Sequence, residues 1–269
     1  MANYNNKDKF EGKSDLKISG SSTSQGGIFN NVKISGSATI NGDIECVDMS
    51  TSGYSKVVGN ISSGEISTSG MCKVSGNVEA TLVKTSGTNH VGGNIKVEEL
   101  RTSGTSKIGG DVQAGIIDIS GSVSIGGNVH AENIVVSGLI TIGGDCESER
   151  FETSGDFRIG GLLNAGTIKV RISGKSNVRE IGGEKIEVQR LKHRGFMGIE
   201  RIIKNLFNIE AKLNCESIEG DEIFLEDTSA RIVRGNNITI GRGCEIDTVE
   251  YTGTLNTIED AIVKNVRML

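Results

Sequence analysis

The sequence predicts an all-β chain, wound as a right-handed parallel three-sided β-helix, and three observations predict it. Ser-Gly recurs at Gly20, Gly36, Gly53, Gly70, Gly87, Gly104, Gly121, Gly138, Gly155 and Gly174, spaced 16, then 17 seven times, then 19. Between these marks the apolar residues fall in pairs of period 2, the period of a strand. The chain of 269 residues holds 38 Gly and no Pro, where roughly 7% Gly and 5% Pro are ordinary. Such a backbone turns often and keeps nearly every amide N–H as a donor.

The elements follow in chain order. Residues 1–13 are polar, without the apolar run of a secretory leader, and read as a disordered tail. Residues 14–185 form the main β-helix. Four positions after each Ser-Gly glycine stand Ile40, Val57, Val74, Val91, Ile108, Ile125, Ile142 and Ile159. Eight positions after stand Ile44, Ile61, Val78, Ile95, Val112, Val129, Cys146 and Leu163. Thirteen after stand Met49, Ile66, Val83, Leu100, Ile117, Ile134, Phe151 and Ile168. Smaller residues fill the partner positions, such as Ala38 and Ser55, Cys46 and Ala80, and Thr51, Thr68, Thr85 and Thr102. Ile119, Val136 and Ile172 are read as continuing that threonine column, so it faces inward and forms no ice-binding ladder.

Three pairs per 17 residues describe one three-sided coil, stacked at roughly 4.8 Å on the next. The inward gaps are uneven, unlike the six-residue step of left-handed hexapeptide helices, which favours the right-handed form. Glycine is expected to supply positive φ at the corners. Asp43, Asn60, Asn77, Asn94, Asp111, Asn128 and Asp145 recur in register and predict a side-chain ladder along one corner. The first coil is weakly specified, with Ser22 and Ser24 at inward positions below Leu16 and Ile18. An uncapped terminal coil invites pairing with another chain, so Leu16, Ile18 and Ile34 are the expected self-association residues.

Residues 186–210 differ in kind. Ile199, Ile202, Ile203 and Leu206 have the spacing of a short amphipathic helix. Lys185, Arg190, Lys192, Arg194, Arg201 and Lys204 make its surroundings basic. It reads as a helix or loop packed on the solenoid, or as a helix that meets a partner or a membrane surface. Residues 211–269 return to the strand pattern as a second, short β-solenoid. There Ser217–Leu225 aligns with Ile232–Ile240 at a 15-residue offset, Gly220 matching Gly235 and Ile223 matching Ile238.

No chemistry is legible. The net charge of −5 argues against a nucleic-acid partner, and no apolar run is long enough for a transmembrane helix. His90 and His130 point outward from different sides, and His193 lies in the irregular segment, so no metal site is expected. Cys46, Cys72 and Cys146 fall on inward positions, and the five Cys read as reduced cytosolic thiols. The Gly-Gly-Asn/Asp tracts lack the Gly-Lys-Ser/Thr of a phosphate loop. No catalytic residue and no cofactor are expected. Charge is patterned instead: Lys56, Lys73, His90, Lys107 and Arg158 share one outward column, while Asp48, Glu65, Glu98, Glu99, Glu132 and Glu149 gather at one corner. These are a solvated surface or complementary faces for lateral association.

The Ser-Gly-x5-Gly-Asn/Asp coils from Gly36 to Asp145, with the Ser217–Asp227 and Val233–Gly241 tracts, resemble the bactofilins, polymer-forming cytoskeletal proteins of bacteria, and within them the longer Bacillus-type subgroup. The resemblance implies a right-handed β-helix that assembles into filaments without nucleotide and supports cell shape, envelope organisation or motility from the cytoplasm. It implies a homopolymer or homo-oligomer, with an envelope, membrane-surface or motility partner. The absence of Pro and the 186–210 insertion depart from the short bactofilins. Two other readings stand beside it: an adaptor that binds its partner through Ile199, Arg201, Ile202, Ile203, Lys204 and Leu206, and an acyltransferase-like β-helix enzyme, which would need a His in a cleft between coils.

Overall fold

A computed structural model describes residues 10–191, 211–258 and 260–269. All its regular elements are strands, 21 in number. They are β1 (Leu16–Ile18), β2 (Ser21–Ile34), β3 (Ser37–Thr51), β4 (Tyr54–Val58), β5 (Ile61–Thr68), β6 (Met71–Val74) and β7 (Val78–Thr85). Next come β8 (Thr88–Val91), β9 (Ile95–Thr102), β10 (Thr105–Ile108), β11 (Val112–Ile119), β12 (Ser122–Ile125), β13 (Val129–Val136) and β14 (Leu139–Ile142). The last are β15 (Cys146–Thr153), β16 (Asp156–Ile172), β17 (Lys175–Arg190), β18 (Lys212–Leu225), β19 (Thr228–Ile240), β20 (Glu245–Thr257) and β21 (Ile262–Met268). The chain divides into two compact units, one through Ile134 with Ile140–Ile142, the other Val135–Leu139 with Gly143–Leu269.

In the first unit each strand lies parallel on the strand one coil earlier. Ile95 pairs with Val78 below and Val112 above, and Lys107 pairs with His90 and Ser124. Stacking residues of like size in register buries the apolar columns: Ile40, Val57, Val74, Val91, Ile108 and Ile125 are all enclosed. The fold is thus a parallel β-solenoid, as the period-2 pairs predict. Its interior also carries a polar strip. Thr51 and Ser55 share a hydrogen bond of 3.2 Å around one Ser-Gly corner, and Asn89, Thr102 and Ser106 are buried farther along.

Glycine serves these corners for a reason other than the expected one. Among the Ser-Gly glycines none has positive φ. A Cβ on Gly53, Gly70, Gly87, Gly104 or Gly121 would instead collide with the carbonyl oxygen of the glycine one coil below. The same corner explains the missing proline. Ser86 and Gly87 both donate their amides to the Thr68 carbonyl, at 2.8 and 3.2 Å, and Thr88 donates to Gly70 at 2.8 Å. Only Gly42, among the repeat glycines, sits in the left-handed region, at φ 106°.

The Asn/Asp column is a ladder. Asn77 donates its amide to Asn60 Oδ1 at 2.8 Å, Asn94 to Asn77 at 2.8 Å, Asp111 to Asn94 at 2.9 Å and Asn128 to Asp111 at 2.7 Å. Each rung needs only an acceptor oxygen, which is why Asp and Asn interchange. Asn77→Ala strands the Asn94 amide and is expected to lower stability by about 1 kcal/mol, whereas Asn77→Asp keeps the acceptor and stays close to wild type. Urea unfolding of the two variants checks this.

In the second unit Phe151 and Phe157 meet edge to face, 5.5 Å between ring centroids. The threonine column passes from Thr153 to Val170, not to Ile172, because β15 and β16 pair those two residues. Residues 186–190 are strand, not insertion. Ile186 and Val188 are buried and pair with Ile168 and Val170. β17 then pairs with β18 across the insertion, Ile186 with Ile223 and Val188 with Leu225. Residues 212–225 therefore continue the coils before the insertion and do not begin a separate stack. The 15-residue offset holds: Ser217 pairs with Ile232, Gly220 with Gly235 and Leu225 with Ile240. The expected helix residues Ile199, Arg201, Ile202, Ile203, Lys204 and Leu206, with His193 and the first nine residues of the tail, lie outside the described residues. At the described end of that tail Phe10 is buried, so residues 10–13 are not wholly a polar tail.

Candidate functional site

The features that set this solenoid apart are its coil edges and its charged faces. β1 is only three residues long and covers just Val32–Ile34 of β2. Ile34 is wholly enclosed between Ile18 below and Thr51 above, and Ile18 is nearly so. Neither side chain forms an accessible surface, so two of the three expected self-association residues belong to the core. Leu16 alone is half-exposed. What stays open is Ser21–Phe29, which pairs with β3 on one side and with no described strand on the other. Ser22 and Ser24 lie in the columns of Ala38 and Ile40, as their inward placement requires, but are not buried, and no described strand pairs with them on the other side.

At β21 the core column itself emerges. Val263 and Val266 stand on Ile246 and Val249, both buried. Val266 is 52% exposed, and Ile262, Met268 and Leu269 are 57%, 68% and 72% exposed. Among the described residues β21 pairs only with β20. Charge pairs hold it in place: Lys264 to Asp247 at 2.7 Å, and Arg267 to Glu250 at 3.3 Å. Glu250 also accepts from Arg234 at 2.7 Å, and the Arg234 guanidinium holds its carboxyl below the usual range.

The described residues that flank the insertion are clamped. Arg190 donates from Nε and Nη2 to Asp227, at 2.6 and 2.5 Å, and its amide donates to Glu226 at 3.0 Å. Asp227 is buried and takes a positive φ of 46°. Lys212 meets Glu245 at 2.8 Å. Arg190, read from sequence as part of the insertion, thus belongs to β17, as does Lys185 before it, which lies 3.7 Å from Glu222.

The acidic corner is partly neutralised by cations that sequence reading missed. Lys84 pairs with Glu65 at 3.3 Å and Arg101 with Glu99 at 2.5 Å. A two-residue offset on one strand, as in Glu99 and Arg101, was the available signal. A groove of about 400 Å³ is lined by residues that include Ala80, Lys96, Val97, Glu98 and Ala114. His130 reaches this groove and His90 lies in the basic column; among the described residues no group of His, Cys, Asp and Glu could hold a metal ion.

All five Cys are free. Burial pushes the Cys46 thiol up to about 11 and those of Cys146 and Cys215 up to about 12. These thiols are poor nucleophiles near neutrality. In the unfolded chain they ionise near 9.0, so above that pH the unfolded state has shed protons the native state still holds. Stability is therefore intact below about pH 9 and falls as pH rises toward 11–12. Urea midpoints measured at about pH 8 and about pH 10 should show the drop, and Cys146→Ala should reduce it.

No helix of the described residues is long and apolar enough to cross a membrane. No family model matches the chain, and no solved structure matches it. Two curated proteins of Bacillus subtilis (strain 168) are similar. The uncharacterized protein YhbF is 42% identical over 91 residues, 34% of this chain and 34% of its own length. The uncharacterized protein YhbE is 41% identical over 93 residues, 34% of this chain and 36% of its own length. The chain thus spans about a third of the length of the curated relatives it matches.

Proposed function

We propose that this protein is a non-enzymatic scaffold that assembles with copies of itself, without nucleotide, in the manner of the bactofilins it resembles, and serves cell shape, envelope organisation or motility. In this reading the coils are right-handed, three-sided and nominally 17 residues long, and one copy adds its open coil edge to an edge of the next. The observation that carries it is the interrupted core column at β21, where Val263 and Val266 extend the buried Ile246 and Val249 outward. An edge strand with unpaired backbone groups and apolar side chains is a template for strand addition. The alternative, an adaptor acting through residues 199–206, rests on a segment outside the described residues.

Negative-stain microscopy and sedimentation of the nucleotide-free protein test the proposal. Filaments or large oligomers are expected, persisting at high salt because the contact is apolar. Val266→Lys with Met268→Lys should leave folded, short particles. Undiminished assembly of that variant would falsify the role of this edge.

A further inference from the structure

We infer that the face built from β4, β6, β8, β10 and β12 binds inorganic polyphosphate, with the phosphate chain lying along the stack of coils. Lys56, Lys73, His90 and Lys107 occupy successive coils in direct register. At roughly 4.8 Å per coil they form a straight row about 14 Å long. All four are exposed, and none makes a salt bridge among the described residues. None of the five strands contains an Asp or a Glu. Asp43 and Asp111, at the adjoining corner, already accept the amides of the next coil. Like charges stacked this closely repel, and a chain of anionic groups laid along the row relieves that repulsion.

The columns on either side of the row fix the chemistry of the partner. On one side Thr88, Thr105 and Ser122 stack in register and offer hydroxyl donors. On the other side Gly92, Gly109 and Gly126 follow the strands and carry no side chain. Beside His90 and Lys107, then, neither column holds anything larger than a threonine, and one chain can meet ammonium and hydroxyl groups together. Phosphate oxygens accept from both, and most strongly from the ammonium. The cations stand in line and do not converge on a point, which suits a polymer of identical anionic units and not a single anion. A single nucleic-acid strand is held largely by aromatic side chains on which its bases stack. Tyr54 is the only Phe, Tyr or Trp on the five strands, and Lys73 already lies 6.0 Å from the centre of its ring. Polyphosphate has no bases to accommodate.

Fluorescence anisotropy of end-labelled polyphosphate titrated with the full chain tests this. If three lysines each displace counterions as on a single-stranded polyanion, the logarithm of the binding constant falls with the logarithm of salt at a slope of about −2. Binding should then weaken on the order of 20-fold between about 50 and about 200 mM salt. Lys56→Gln with Lys73→Gln should reduce the slope to about −0.7 and weaken binding on the order of 25-fold near 0.1 M salt. Thr88→Val with Thr105→Val should weaken binding several-fold with the slope unchanged, and Lys96→Gln, on another face, should change neither. Urea midpoints close to the parent's establish that the variants are folded. Failure of the parent to bind polyphosphate overturns the inference, whatever else the face binds. So does undiminished binding by the Lys56→Gln/Lys73→Gln variant, and so does equal competition by orthophosphate at the same phosphate concentration, which would remove the need for a chain. Tighter binding of single-stranded DNA than of polyphosphate would assign the face to nucleic acid instead. These variants leave Val266 and Met268 in place, so polyphosphate binding and filament formation are read independently.

Discussion

Gly87→Ala is expected to lower the unfolding free energy by roughly 3–5 kcal/mol, an effect comparable to emptying a large core site. A Cβ there would lie on the Gly70 carbonyl oxygen and close to the Ser69 carbonyl group. Both are backbone, so no flexible side chain can move aside. Nor can the corner shift easily, because the Gly87 amide is tied to Thr68 at 3.2 Å and Thr88 to Gly70 at 2.8 Å. Relief means lengthening those bonds, and the same constraint repeats at the next coil. Two other glycines calibrate the result. Gly42 has φ 106° but its nearest neighbour would be 3.6 Å from a Cβ, so Gly42→Ala carries only the conformational penalty, about 1–2 kcal/mol. Gly20 has neither constraint, with nothing within 4 Å, and Gly20→Ala should be neutral or stabilising by about 0.4–1 kcal/mol. Urea unfolding should rank the losses Gly87, Gly42, Gly20. A larger loss at Gly42 than at Gly87 would mean backbone conformation, not coil-to-coil approach, selects glycine at the Ser-Gly corners.

That distinction marks the limit of the sequence. Period-2 pairs announce which side chains face in, because alternation is a property of one strand; Ile95, Val97 and Leu100 are buried where the columns put them. The Asn ladder is legible for the same reason, since a residue repeated in register stacks on itself. Close approach between coils is a property of two strands, and it leaves no trace beyond the glycine. The insertion starts later than the sequence predicts although Ile186 and Val188 alternate, because the register there widens to 18 residues between Ile168 and Ile186. Ile34, expected at a contact surface, is enclosed because it sits in the column of Thr51, a position that is inward in every repeat. Which edge stays uncovered depends on how far β1 reaches, a length that hydrophobic patterning does not encode. Lys84 and Arg101, beside the acidic corner, lie outside the lysine column, so charge read along that one column does not show them.

The polar strip inside the first unit supports the opposite kind of prediction, a gain. Thr102→Ile with Ser106→Val is expected to raise stability by about 2 kcal/mol. The Thr102 and Ser106 hydroxyls are buried and have no hydrogen-bond partner among the described residues. Thr51 and Ser55, identical in type and spacing, satisfy each other at 3.2 Å, so residue identity alone does not produce the deficit. One coil on, the same two columns hold Ile119 and Val123, both fully buried. They pair directly with Thr102 and Ser106. The chain therefore already accommodates the larger apolar pair in this register, which weakens the usual objection that enlarging a packed core costs about 1–3 kcal/mol. Against that, the double variant adds four buried carbons, two of them in place of the orphaned hydroxyls, at about 0.8 kcal/mol for each buried CH₂. Thr102→Ile alone leaves Ser106 unsatisfied and should gain less. Thermal unfolding decides the sign: a double variant less stable than the parent would mean that the hydroxyls are satisfied by internal water, and that displacing it outweighs the added burial.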